Sequence, residues 1–173
     1  HTFLTKRFDR HQQERIHFAS AMAMTGNSEN SLRNQTVSYL ELAEFIQFSG
    51  NRVKQDLHQL WRRIVFNIAV SNTDDHLRNH GFLFTQNGWQ LSPAYDLNPS
   101  IEKDGLSLNF DMENNALDFE LAKNVGAYFQ LTNQEMDTIL YEVKESVKTW
   151  QTYAKELKIA RQECEMMSLA FQH

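Results

Sequence analysis

Apolar residues recur at three- and four-residue intervals through Val53, Leu57, Leu60, Trp61, Ile64, Val65 and Ile68, a spacing that puts them all on one helical face. It predicts a core helix of about five turns over 53–68. Ser38 followed by Glu41 has the pattern of a capping box, and Tyr39, Leu42, Ala43 and Ile46 then share a face, so a helix is predicted from there to Gly50. Thr132 with Glu135 repeats the capping pattern, and an apolar stripe follows through Met136, Ile139, Leu140, Val143, Val147, Trp150, Ala154 and Leu157. Residues 117–129 read as one more helix. Residues 1–8 alternate loosely and predict a short strand, with a second over 15–24. Phe82–Phe84 and Trp89–Leu91 flank Gln86-Asn87-Gly88, and Asn-Gly accepts the positive φ of a tight hairpin turn. Residues 26–35 form a polar loop, and Pro93 and Pro99 keep the stretch after the hairpin irregular. The chain is expected to be mainly α with a small β-hairpin. No internal repeat or low-complexity tract interrupts it.

Composition narrows the class. The 173 residues suffice for one domain or a large part of one, burying about two thirds of the unfolded surface. With 41% hydrophobic and 12% aromatic residues, the chain is neither disordered nor fibrous. A net charge of −5 supplies no basic field for a phosphate backbone, so direct nucleic-acid contact is not expected. Cys164 is the single cysteine and has no metal-ligand spacing around it, which reads as an inert helix residue in a reducing interior. No run of 18 apolar residues occurs and the first residues lack a signal-peptide stretch, so a soluble cytoplasmic protein is expected, with no membrane partner. The abrupt strand-like start without Met reads as a fragment or a cleaved product.

Two polar motifs flank the hairpin: Asn72-Thr73-Asp74-Asp75-His76-Leu77-Arg78-Asn79 before it and Ser92-Pro93-Ala94-Tyr95-Asp96 after it. Phosphoryl transfer needs a carboxylate that orients and deprotonates the attacking hydroxyl, and oxygen ligands that hold Mg²⁺ on the phosphates. Asp74 and Asn79 have the five-residue separation of a kinase catalytic loop, in which the Asp is the base and the Asn a metal ligand. Asp96, delivered by the hairpin, is then the second ligand. Asp-Asp-His alone reads as a solvated turn; the ordered combination is what points to chemistry. Asp75 competes with Asp74 as base, although it precedes Asn79 by four residues. His76 has a structural alternative, bonding a backbone carbonyl, and zinc would need His or Cys partners that the spacing does not supply. His11, His17 and His80 read as surface or supporting residues, Met166 and Met167 as packing, and Arg78 as a support for the loop with phosphate contact as its alternative.

These motifs resemble the HipA-like kinases, the toxins of bacterial toxin–antitoxin systems. The resemblance runs from Lys6-Arg7-Phe8-Asp9-Arg10, through Phe66 to His76 and Asn79, to Leu91–Asp96, about the first hundred residues. It implies the helical C-lobe of a two-lobed kinase fold, covering 1–173, with residues 1–10 as the hinge strand and 71–100 as the catalytic and metal-binding loops. Asp74 is then the base, and Asn79 and Asp96 hold Mg²⁺. Lys6, Arg7 and Phe8 meet the adenine of ATP, Asp9 and His76 lie close to the ribose, and Tyr95 belongs to the same nucleotide site. The family also implies serine/threonine phosphorylation of a protein such as an aminoacyl-tRNA synthetase, and a HipB-like DNA-binding antitoxin as partner. The Gly-rich loop and strand Lys of the family's N-terminal lobe do not occur in this sequence, so that lobe is expected to be absent. Two rival functions remain open at this point: a catalytically silent binding or regulatory module, and a Mg-dependent phosphotransferase acting on a small molecule. The retained Asp74, Asn79 and Asp96 argue against the first, and the hinge and Pro-Ala-Tyr-Asp element against the second.

Overall fold

The computed structural model of the chain describes residues 2, 4–32, 36–102 and 104–171. The elements run β1 (Arg10–His11), β2 (Glu14–Arg15), β3 (Phe18–Ser20), α1 (Ala21–Met24), α2 (Glu29–Leu32), α3 (Tyr39–Ser49) and α4 (Val53–Ala69). Then come β4 (Gly81–Thr85), β5 (Gly88–Leu91), α5 (Phe119–Asn124), α6 (Asn133–Val147), α7 (Trp150–Glu156) and α8 (Arg161–Met167), with 3₁₀ turns at Gly126–Phe129 and Ser168–Phe171. Strands β1 and β2 make one antiparallel pair. Strands β3, β4 and β5 make an antiparallel sheet in that order.

Helix α4 is the centre of the core, because its apolar stripe is wide enough to be covered on several sides. Leu57, Leu60, Trp61, Ile64, Val65 and Ile68 are all fully buried. The Trp61 indole N–H donates to the Ala122 carbonyl of α5 at 2.9 Å, so the largest core side chain also has its polar atom bonded. Helix α6 covers α4 with Met136, Ile139, Leu140 and Val143, and its predicted capping box is present in both directions. The predicted stripe does not continue as one helix. It breaks at Lys148 and Thr149 into α7, where no residue is buried and Leu157 is 68% exposed. Trp150 is held instead by stacking on Phe171, with ring centroids 4.4 Å apart. The helix expected over 117–129 is likewise divided, into α5, which Asp118 caps, and a 3₁₀ turn that starts at Gly126, where a Cβ would stand 2.1 Å from Met136 Sδ.

Other expectations are corrected near the start of the chain. The strand expected over 1–8 is not formed over residues 2 and 4–8, and residues 1 and 3 lie outside the described set. Asp9 gathers the guanidinium groups of Arg7 and Arg10, each at 2.6 Å, and the Asp9 carbonyl accepts from Ile16 N–H at 3.0 Å; the pairing therefore begins at Arg10. The strand expected over 15–24 ends at Ser20, whose hydroxyl caps Ala23 N–H, and Ala21–Met24 is helical. A short helix occupies Glu29–Leu32 inside the expected polar loop, of which residues 33–35 lie outside the described set. Helix α3 starts where predicted, but not through a Ser38–Glu41 box. Ser38 makes a bridge to Asn109, and Glu41 accepts from the Asn27 amide at 3.0 Å.

Gly81 pairs with Ser20 across the sheet, and a Cβ there would stand 2.3 Å from the Phe18 ring. That ring is flanked by Phe8 and Tyr95 at 5.8 and 6.2 Å and has little room to yield. Gly81→Ala is expected to cost about 1–3 kcal/mol, the usual range for overpacking, read as a lowered thermal midpoint. No helix among the described residues is long and apolar enough to cross a membrane.

Candidate active site

Helix α4 ends at Ala69 with Val70 as its C-cap, and Ser71 takes a left-handed φ of 50° that turns the chain out of the helix. The turn is held by Asn72, which donates its backbone N–H to the Asn67 carbonyl at 2.8 Å and its side-chain amide to Asn67 Oδ1 at 3.0 Å. The Ser71 hydroxyl donates to the Ala170 carbonyl at 2.9 Å, which ties the loop to the far end of the described chain. The next two carboxylates point in opposite directions. Asp74 is exposed, whereas Asp75 is 0% exposed and accepts from Tyr39 Oη at 2.6 Å and His80 Nε2 at 2.9 Å. Burial and the neighbouring Asp75 charge push the Tyr39 hydroxyl well above its ordinary value, so it stays a donor. Asp75 is thus engaged inside the protein, and Asp74 is the carboxylate of the pair that a reactant can reach. His80, expected as a surface or supporting residue, is 1% exposed and serves this buried bond.

The predicted ligands meet. Asn79, on the loop, donates its amide to Asp96 Oδ2 at 2.6 Å and accepts His76 N–H through Oδ1 at 3.0 Å. Asp96 has a left-handed φ of 57°, and its Oδ1 accepts from the Asn98 amide at 2.7 Å. A carboxylate and an amide oxygen are hard donors, and Mg²⁺ is commonly held by one or two carboxylates with the rest of its shell from phosphate and water. The donor chemistry of the pair therefore fits Mg²⁺. Among the described residues no group of three or more His, Cys, Asp or Glu could hold a metal ion.

Beside Asp96 opens a cleft of about 470 Å³ lined by Lys6, Arg7, Phe8, Asp9, Tyr95 and Asp96, with Phe18, Ala94 and Arg78 completing the wall. Six predicted nucleotide residues from two distant segments thus share one cavity. Asp74, His76 and Asn79 are not among the residues lining it. Phe8 and Tyr95 rings lie 5.7 Å apart. Burial pushes the Tyr95 hydroxyl up to about 12, and it donates to the Arg78 carbonyl at 2.6 Å, fixing the loop against the cleft wall. Hydrogen bonding to Arg7 holds the Asp9 carboxyl down at about 2. Arg78 supports the loop as expected, through an ion pair with Glu29 and a contact of 3.3 Å with His76 Nε2.

Sequence reasoning did not single out Asp56 and Arg63, which are buried on α4. The available signal was their position: each flanks the apolar stripe three residues after a core position, Val53 or Leu60, where a lone charge needs a partner.

The family model of the HipA-like C-terminal domain matches residues 1–150, well past the first hundred that carry the motifs. A Haemophilus influenzae protein named "Putative kinase" is 31% identical over 102 residues, 54% of this chain and 29% of that protein. A Sinorhizobium fredii protein named "Putative kinase Y4mE" is 23% identical over 161 residues, 88% of this chain and 33% of that protein. The chain spans about a third of the length of these relatives. Among solved structures, HipA of Shewanella oneidensis MR-1, in complex with HipB and its operator DNA, superposes with a TM-score of 0.69 at 17% identity, covering 95% of this chain and 45% of that one. The fold is that of HipA, with the mixed helical and small-sheet architecture described above. The chain belongs to the HipA-like C-terminal domain family.

Proposed function

We propose that this chain is the catalytic lobe of a Mg-ATP-dependent kinase that phosphorylates serine or threonine hydroxyls of a protein. The observation that carries the reading is the bond between Asn79 and Asp96 at 2.6 Å, at the edge of the cleft lined by Lys6–Asp9 and Tyr95. Asp74 stands exposed five residues before Asn79, as a base must. Asp74 takes the proton of the acceptor hydroxyl. The hydroxyl oxygen bonds to the γ-phosphorus as the bond from that phosphorus to the β–γ bridging oxygen breaks, and ADP leaves with the electron pair. Asn79 and Asp96 would hold Mg²⁺, which when bound neutralises charge on the phosphates. Phe8 and Tyr95 offer apolar faces to the adenine, with Asp9 placed for the ribose.

The relatives named as kinases support the reaction class, and the HipA–HipB–DNA complex of the Shewanella neighbour supports a HipB-like antitoxin as the partner. By family resemblance, the protein substrate is of the aminoacyl-tRNA synthetase kind. Incubation of the full-length protein with γ-labelled ATP, Mg²⁺ and protein acceptors tests this. Label on serine or threonine is expected; label only on an aminoglycoside or sugar would assign it to the small-molecule phosphotransferases.

Removing the charged ligand should be felt in nucleotide binding. Asp96→Ala is expected to weaken Mg-dependent ATP binding at least about tenfold, because Mg²⁺ sites of this kind use few protein oxygens. Calorimetry with and without Mg²⁺ measures it, and an unchanged Mg²⁺ dependence would remove Asp96 from the site.

A further inference from the structure

Helix α4 carries two buried charges that the mechanism above does not use. Asp56 is 3% and Arg63 4% exposed, and at a spacing of seven residues they lie on one face of the helix. A buried charge is unfavourable unless it is bonded, so what each one bonds is informative. Both grip the end of β5. The Asp56 carboxylate accepts from Leu91 N–H at 2.8 Å and from the Arg52 guanidinium at 3.2 Å, and the Arg63 guanidinium donates to the Ser92 carbonyl. The anion takes the backbone donor and the cation takes the acceptor of the next residue. Four residues later the same strand end delivers Asp96.

The other half of the site grows from the same rod. Helix α4 ends at Ala69, and the loop carrying Asp74 and Asn79 follows directly. Asp75, next to Asp74, faces the same interior. Burial pulls the Arg63 guanidinium down to about 10, while the carboxylate charges of Asp75 and Asp56 hold it up, so it keeps its charge near neutral pH.

We propose that Asp56 and Arg63 form a clamp that fixes the Asp96 segment in register against the Asp74–Asn79 loop, and so sets the Asn79–Asp96 geometry on which Mg-nucleotide binding depends. Both are positioning residues, and the inference rests on the kinase reading above.

The test uses the full-length protein with Arg63→Met, Arg63→Lys and Asp56→Asn. Calorimetry gives the Mg²⁺ concentration for half-maximal ATP binding and the ATP affinity without Mg²⁺. Amide hydrogen exchange follows residues 92–98. In Arg63→Met and Asp56→Asn the Mg²⁺ midpoint is expected to rise about tenfold or more, the Mg-free affinity to move less than about threefold, and exchange over 92–98 to quicken. Arg63→Lys, which keeps a charged donor, is expected to recover most of the midpoint. A purely structural role would lower the thermal midpoint in these variants and leave the Mg²⁺ midpoint alone. That result would overturn the clamp and leave the kinase reading standing. Wild-type protein without Mg-dependent ATP binding would overturn both. Should Arg63→Met fail to fold, Asp56→Asn decides the matter by the same readouts.

Discussion

Asp74→Asn in the full-length protein is expected to slow phosphoryl transfer by about 10²- to 10⁴-fold, the range over which a general base contributes. At about 1.4 kcal/mol per factor of ten, that corresponds to roughly 3–5 kcal/mol of lost transition-state stabilisation. The amide keeps the shape of the side chain but cannot take the proton from the acceptor hydroxyl. ATP affinity should change only a few-fold, because a base acts in the transition state far more than in ground-state binding. Stability should stay within about 0.5 kcal/mol, since Asp74 is an exposed loop residue. Single-turnover assays with labelled ATP, run beside thermal melts, separate these effects. Retention of most of the wild-type rate would remove Asp74 as the base.

The neighbouring carboxylate should behave in the opposite way. Asp75→Ala is expected to destabilise the protein by about 3–5 kcal/mol, because it removes one partner from a buried set and leaves the others unanswered. Asp75 has no exposed surface; it accepts from Tyr39 of α3 and from His80 at the start of β4, and its charge supports Arg63 of α4. For a domain of this size each kcal/mol lowers the melting temperature by about 2–4 °C, so a fall of roughly 6–20 °C follows. Calorimetric unfolding measures it. A loss below about 1 kcal/mol would mean that Tyr39, His80 and Arg63 find other partners when Asp75 is gone.

The contrast between these adjacent residues shows where the sequence was legible. That Asn79 and Asp96 come together could be expected from their types and their places on either side of the hairpin. The direction of Asp75 could not, since it depends on Tyr39, which is 36 residues away. Helix α4 was readable because its apolar period recurs at every turn along one face, and the Thr132–Glu135 box because both partners sit three residues apart. Ser38 and Glu41 had the same local pattern but found distant partners in Asn109 and Asn27. Ala21–Met24 is a short apolar run, the kind that periodicity alone cannot divide between strand and helix. The strand expected over 1–8 failed for a related reason: strand formation is decided by what lies alongside, and at Asp9 two arginines and a turn compete for the chain.

The bond from Ser71 to Ala170 spans 99 positions and closes on the start of the loop that carries Asp74 and Asn79. Helices such as α4 form from contacts within a few residues, whereas closing a segment of that length waits for the intervening chain to be ordered. The helical body, with the loop's ties to Asn67 and Tyr39, can therefore assemble before this last tie is made. On the ribosome, where N-terminal parts emerge first, the nascent chain would hold a packed core before the bond from Ser71 to Ala170 was made. That tie would then form only after the segment around Ala170 had emerged and docked.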